Sequence, residues 1–137
     1  MPRHTHWIIG PGAIGRLLAL RLVQHGQRVM LIGRRPLPGH QTLVTPEGEA
    51  SSLEVTTRTD PPPSSPDIVH LTTKAYAAEA AYAALAAQLP AHTPLVLWQN
   101  GFFTQPRLSA CHPGPVLCAT TTEGAYVEAD DRVIHAG

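Results

Sequence analysis

The most constraining feature of the sequence is a glycine-rich segment that lies between a strand pattern and a helix pattern. Gly10-Pro11-Gly12-Ala13-Ile14-Gly15 has the spacing GxGxxG, and a short apolar run over 7–10 leads into it. From Ala13 to His25 apolar residues recur at helical spacing, and Gly26 provides a helix terminator. A second apolar run follows over 28–32. The sequence therefore predicts a strand, a tight turn, a helix and a parallel strand.

Each glycine of this segment has a separate physical role in a dinucleotide-binding turn. Gly10 permits the tight turn, Gly12 lets the backbone approach a pyrophosphate, and Gly15 lets the helix pack on the strand. The N–H groups and positive dipole at the helix start then face the anion. We expect residues 10–15, including Pro11, Ala13 and Ile14, to bind the cofactor. A plain glycine turn before a helix is the alternative.

The rest of the chain alternates between strand and helix patterns. Further strands are predicted over 41–45, 50–59, 67–71, 95–98, 116–119, 124–127 and 133–136, and helices over 75–89 and 106–111. The first two of these strands form a hairpin beside the main sheet, and the proline-rich stretch 61–66 is a stiff connector. This alternation predicts an α/β fold of the Rossmann type, doubly wound, with a mostly parallel sheet and helices on both faces. We expect one such domain over 1–137.

The residues after the second strand indicate the cofactor. Domains that bind NAD usually place Asp or Glu there, to hold the ribose 2′-hydroxyl, but this chain has Gly33-Arg34-Arg35. A guanidinium binds a 2′-phosphate in a bidentate fashion, whereas a carboxylate repels it. The sequence therefore predicts NADP(H), with Arg34 as the main contact. Two solvated loop arginines are the alternative.

Three further polar sites follow core strands, where ligands bind in open α/β sheets. Lys74 is the single lysine beside nine arginines, and it can reach a ligand or start a helix in solvent. Asn100 can donate and accept hydrogen bonds, although Asn-Gly is also a common turn pair. Thr120-Thr121-Thr122 is either part of the site or a simple strand extension.

Composition excludes several classes of protein. The formal net charge of zero argues against nucleic-acid binding, and no apolar run is long enough to span a membrane. The N-terminus lacks a signal peptide's apolar region, so we expect a cytoplasmic protein. Eight scattered histidines form no ligand motif, and no metal is expected. Cys111 and Cys118 are interpreted as ordinary reduced thiols.

Taken together, these segments resemble the N-terminal half of the ketopantoate reductase family. The matching pieces, in order, are Gly10–Gly15, Leu31–Arg34, Thr73–Ala75, Gln99–Gly101, Thr120–Ala125 and Val133–Gly137. The resemblance implies NADPH-dependent reduction of 2-dehydropantoate, a 2-keto acid, to (R)-pantoate in pantothenate biosynthesis. It also implies that Lys74, Asn100 and Ala125 contact the cofactor, and that Asn100 meets the substrate.

The chain departs from this family in two positions and in length. Phe103 stands where the family usually has a small residue, and Glu123 adds negative charge near the site. The family also has a helical second domain that supplies the general acid, so we expect this chain to be a fragment that is inactive alone. Another NADP-dependent 2-keto acid or opine-type reductase and a non-catalytic NADP(H)-binding module remain as alternatives. The oligomeric state is open, with a homo-oligomer among the possibilities.

Overall fold

The computed structural model of the protein describes residues 3–10, 12–98 and 104–137, with residues 104 and 105 described by backbone only. The strands are β1 (Thr5–Ile9), β2 (Arg28–Ile32), β3 (His40–Val44), β4 (Ala50–Glu54), β5 (Thr56–Arg58), β6 (Ile68–Leu71), β7 (Leu95–Leu97), β8 (Val116–Cys118), β9 (Ala125–Ala129) and β10 (Arg132–His135). The helices are α1 (Ala13–Gln24), α2 (Ala75–Ala86) and α3 (Thr104–Cys111). Within these ranges no helix is long and apolar enough to cross a lipid bilayer.

The main sheet has six strands in the order β5-β2-β1-β6-β7-β8, and every neighbouring pair is parallel. The chain moves outward from β1 through β2 to β5 and then returns to β6 on the other side of β1. This reversal creates a topological switch point at the carboxyl ends of β1 and β6, where open α/β sheets bind ligands. The predicted Rossmann-type fold is confirmed.

Alternate residues of the central strands supply two hydrophobic cores, one on each face. On one face Ile8 and Leu31 pack with Leu20 of α1. On the other face Trp7 and Val69 belong to a cluster that includes residues of α2 and Leu108 of α3. Helices therefore cover both faces, as the alternation of elements predicts.

A second sheet of four strands covers the side of α1 that faces away from the main sheet. Its order is β4-β3-β10-β9, and β10 pairs parallel with β3 and antiparallel with β9. Leu43 of β3 and Val133 of β10 are fully buried in the same core as Leu17 and Leu20 of α1. Helix α1 therefore lies between the two sheets.

One strand prediction is wrong. The run 50–59 is not a single strand, because the chain changes sheets at Val55. Strand β4 pairs with β3 in the second sheet, whereas β5 pairs with β2 at the edge of the main sheet. Val55 is buried at the junction, and its N–H donates to the carbonyl oxygen of Gly39 at 2.8 Å. The other predicted elements have the observed order, with ends that differ by three residues or fewer.

Candidate functional site

A cleft of about 1180 Å³ opens at the carboxyl ends of β1, β2 and β6. Seven of the residues predicted from the sequence line it: Gly10, Gly12, Ala13, Ile14, Arg34, Lys74 and Ala125. Predictions that concern Pro11, Asn100 and Phe103 lie outside the described residues. The topology therefore brings the glycine turn, the end of β2 and the end of β6 to one cavity.

Gly10 and Gly15 are required by close packing beneath this cleft. Gly10 has a φ of +93°, and a Cβ there would lie 2.5 Å from the Thr73 methyl carbon. A Cβ on Gly15 would collide with the Thr72 hydroxyl and would lie 2.5 Å from the Gly10 carbonyl oxygen. These two glycines shape the turn and let α1 approach the end of β6.

Gly12 differs from both, because a Cβ at this position would meet nothing within 4 Å. Its φ of −71° and ψ of −177° are accessible to any residue, so neither space nor conformation within the protein requires glycine. Gly12 is also the N-cap of α1, with no side-chain cap and no acidic residue in the first turn. The helix start therefore presents backbone N–H groups and a positive dipole end to the cleft.

Cationic side chains surround the helix start. Arg16, Arg34, Arg35 and Lys74 line the cleft, and the lining contains no Asp or Glu in the part of the chain that is described. Arg16 is 4% exposed, and burial lowers the pKa of its guanidinium, with a partly offsetting effect of the Asp130 carboxylate. A cleft with these charges favours an anionic ligand.

The two consecutive arginines after β2 have different environments. The Arg35 guanidinium binds both carboxylate oxygens of Asp130, at 2.9 and 2.7 Å. Arg34 is exposed and makes no hydrogen bond or ion pair with any residue of the described ranges. Arg34 is therefore available to a ligand in the cleft, whereas Arg35 already has an anionic partner.

Lys74 and Ala125 line the cleft from two different elements. Lys74 is exposed, lines the cleft and is the N-cap residue of α2. Ala125 begins β9 and is packed at the edge of the core beneath α1.

Glu123, which precedes β9, has a partner within the second sheet. Its carboxylate accepts a hydrogen bond from His135 Nε2 at 2.9 Å, and Arg21 donates to His135 Nδ1 at 2.8 Å.

A chain of ring hydrogen bonds supports another wall of the cleft. Trp98 lines the cleft, and its indole N–H donates to His70 Nδ1 at 3.2 Å. His70 Nε2 lies 3.0 Å from His6 Nδ1. Because His70 Nδ1 accepts the bond from Trp98, the proton of the neutral ring is on Nε2, which therefore donates to His6 Nδ1. Burial, assisted by the neighbouring His6, lowers the pKa of His70 to about 4. His70 is therefore neutral near pH 7.

Sequence reasoning missed Arg16, Thr72, Trp98 and the histidine pair as parts of the site. His6 and His70 are 64 positions apart, and only the parallel pairing of β1 with β6 places them on one face. Among residues 3–10, 12–98 and 104–137, no three His, Cys, Asp or Glu side chains are grouped so that they could hold a metal ion. Cys111 and Cys118 are free and exposed.

Comparison with known proteins gives a consistent family match. The model of the family described as ketopantoate reductase PanE/ApbA matches residues 7–137. The 2-dehydropantoate 2-reductase of Vibrio cholerae is 32% identical over 131 residues, which cover 95% of this chain and 43% of that protein. The enzyme of the same name from Pyrococcus abyssi is 30% identical over 129 residues, covering 90% and 41%. The chain thus spans less than half the length of these relatives.

Solved structures show the same fold. A ketopantoate reductase from Staphylococcus aureus, described as dimeric, superposes with a TM-score of 0.74 at 26% identity, covering 96% of this chain and 44% of that one. A D-mandelate dehydrogenase solved with NADH gives a TM-score of 0.85 at 20% identity, covering 97% and 45%. The second likeness concerns the fold alone.

Proposed function

The chain belongs to the ketopantoate reductase family, and we propose that it is the NADPH-binding part of an enzyme that reduces 2-dehydropantoate to (R)-pantoate, a step of pantothenate biosynthesis. Residues 1–137 form one nucleotide-binding domain in this proposal. The observation that carries it is the cleft at the start of α1, where the backbone is open at Gly12 and the exposed cations Arg34 and Lys74 belong to a lining whose described residues include no Asp or Glu. This arrangement suits a diphosphate and an additional phosphate.

The residues present fit a dinucleotide cofactor. A reductase with this fold implies a nicotinamide dinucleotide. In our proposal its diphosphate meets the backbone of Gly12, Ala13 and Ile14, because the empty space at Gly12 lets an anion approach the helix N-terminus. Gly10 and Gly15 contribute indirectly, since they hold the turn against the end of β6.

The choice of NADPH over NADH rests on Arg34. Arg34 comes shortly after β2, and its side chain is exposed. In this fold, the ribose 2′ position of a bound dinucleotide lies near the end of that strand. A charge-assisted hydrogen bond to a phosphate contributes roughly 1.5–3 kcal/mol, which corresponds to a preference of about tenfold to a hundredfold. The position carries no acid that would select a 2′-hydroxyl.

The chemistry requires the nicotinamide and the keto acid to meet at the same cleft. When bound, the reduced nicotinamide supplies a hydride to the ketone carbon. Lys74, Asn100 and Ala125 position the cofactor in this proposal, and Asn100 also contacts the keto acid. The ketone oxygen needs a proton donor within about 3 Å as it gains negative charge. Lys74, the single lysine of the sequence, is assigned to the cofactor, so the 137-residue polypeptide should turn over far below about 1 per second.

Calorimetric titration with NADPH and NADH tests the cofactor assignment. The wild-type chain should bind NADPH more tightly, and Arg34→Ala should remove most of the preference while changing NADH affinity little. Arg28→Ala is the matched control, because Arg28 lies at the opposite end of the same strand and carries the same charge. Absence of binding to both nucleotides would refute the proposal, and an equal preference in wild type and Arg34→Ala would refute the role of Arg34.

A further inference from the structure

We propose that Asp130 is a specificity-determining residue of this cleft, because it binds Arg35 and leaves Arg34 as the sole arginine after β2 that recognises the 2′-phosphate. The inference rests on the proposed function and deepens it. Asp130 lies in the turn between β9 and β10 of the second sheet, 95 positions from Arg35 in the sequence. It is therefore a feature of the fold that the local sequence after β2 does not contain.

The geometry of the ion pair occupies the part of Arg35 that would bind a phosphate. Its two terminal nitrogens, Nη1 and Nη2, each donate to one oxygen of the Asp130 carboxylate. A guanidinium binds a phosphate through the same kind of forked contact. Asp130 therefore occupies the terminal edge of the guanidinium and offsets its charge, so Arg35 is a weaker phosphate partner than Arg34, although it lines the same cleft.

Asp130 is held in place independently of its carboxylate. Its carbonyl oxygen accepts hydrogen bonds from Arg16 Nη1 at 3.2 Å and from Gln41 Nε2 at 2.9 Å. Gln41 is 1% exposed and also donates to the carbonyl oxygen of Pro38 at 2.8 Å. The turn is thus fixed to α1 and to β3 through its backbone, and the carboxylate is presented to Arg35 from a rigid support.

The charges around the pair are consistent with this role. The hydrogen bond from Arg35 keeps the pKa of Asp130 below its ordinary value, and Asp130 raises the pKa of Arg35. Both groups stay ionised at neutral pH. Their side chains are 58% and 55% exposed, so the pair contributes little to stability and its removal should leave the fold intact.

The substitution Asp130→Asn tests the charge of the carboxylate separately from the backbone contacts. It removes the charge but retains the backbone carbonyl oxygen and the size of the side chain. Dissociation constants for NADPH and NADH are measured on the wild type, Asp130→Asn, Arg34→Ala and the double variant. Asp131→Asn is the matched control, since Asp131 is the neighbouring carboxylate of the same turn. Thermal unfolding of each variant checks the fold.

We expect Asp130→Asn to tighten NADPH binding by roughly three- to tenfold, because a negative charge is lost and Arg35 is held by a weaker, neutral partner, with NADH binding unchanged within about twofold. The double variant should recover part of the NADPH affinity that Arg34→Ala loses, since Arg35 then replaces Arg34. Asp131→Asn should leave the ratio of the two affinities as in the wild type.

Two results would overturn the inference. One is a ratio of NADPH to NADH affinity that Asp130→Asn leaves unchanged or lowers, since Asp130 would then be structural or would support the phosphate contact. The other is a double variant that binds NADPH no better than Arg34→Ala. A wild-type chain that binds neither nucleotide would refute the proposed function itself, and this outcome is distinct from the other two.

Discussion

The hydroxyl oxygen of Thr72 lies 2.7 Å from the carbonyl oxygen of Gly10 and 2.8 Å from that of Ile9, so its one proton is shared between two acceptors. Thr72 follows β6 and Gly10 follows β1, so this hydroxyl joins the two strands that flank the switch point. The Thr72 hydroxyl oxygen would also overlap a Cβ placed on Gly15. One side chain thus fixes the turn to its neighbouring strand and limits how far α1 stands from the sheet.

Gly15→Ala should destabilise the fold. The added methyl group would overlap the Thr72 hydroxyl and the Gly10 carbonyl oxygen, and a shift of either atom would disturb the hydrogen bond between them. Overpacking of this kind costs about 1–3 kcal/mol. Urea unfolding followed by circular dichroism measures the loss, and an unchanged unfolding midpoint would contradict close packing of Gly15 against Thr72.

Gly12→Ala should have the opposite profile, with stability retained and cofactor binding lost. Its backbone angles suit alanine, and the added methyl group meets no protein atom within 4 Å. That empty space is where the proposed diphosphate approaches, so we expect NADPH affinity to fall by roughly tenfold or more through loss of a charged backbone hydrogen bond. Titration and unfolding of the same preparation make the comparison, and wild-type affinity would exclude a diphosphate from this position.

The parts of the fold that the sequence predicts are those encoded locally. The GxGxxG motif predicts a dinucleotide-binding turn only when it lies between a strand and a helix. Both flanking patterns are next to it in this sequence. The cleft residues Gly12, Arg34 and Lys74 could be predicted because each follows a strand of one parallel sheet. The carboxyl ends of parallel strands lie at one edge of the sheet, so these residues could be assigned to one cleft without knowledge of the loop conformations.

The parts that could not be predicted depend on contacts between distant segments. The hairpin pattern of β3 and β4 gives no sign that β10 will pair with β3. The side chains of the extended run 50–59 alternate between two faces whether the run belongs to one sheet or to two. The local sequence therefore does not indicate the change of sheet at Val55. The sequence likewise gives no sign that the second sheet will bring Asp130 to Arg35.

The histidine pair under Trp98 gives a prediction about pH and stability. The pKa of His70 is about 4 in the folded chain and about 6.5 as an ordinary value, because burial disfavours the charged ring. Between these values the unfolded chain binds a proton that the folded chain does not bind. The stabilising contribution of neutral His70 to the free energy of unfolding is therefore fully present above pH 6.5 and is lost as the pH falls toward 4. A difference of this size corresponds to on the order of 3 kcal/mol.

The free energy of unfolding should therefore rise with pH between about 4 and 6.5, and His70→Asn should flatten this slope. Burial lowers the pKa of His6 as well, opposed in part by its hydrogen bond with Gln27, so a smaller slope of the same sign should remain. His92→Asn is the matched control, because His92 is exposed in the loop before β7. Denaturant unfolding at several pH values gives the slopes. If His70→Asn keeps the wild-type slope, the buried His70 ring is not the source of the pH dependence. The variant also loses the hydrogen bond from Trp98, but this loss changes the free energy of unfolding equally at every pH and leaves the slope unaffected.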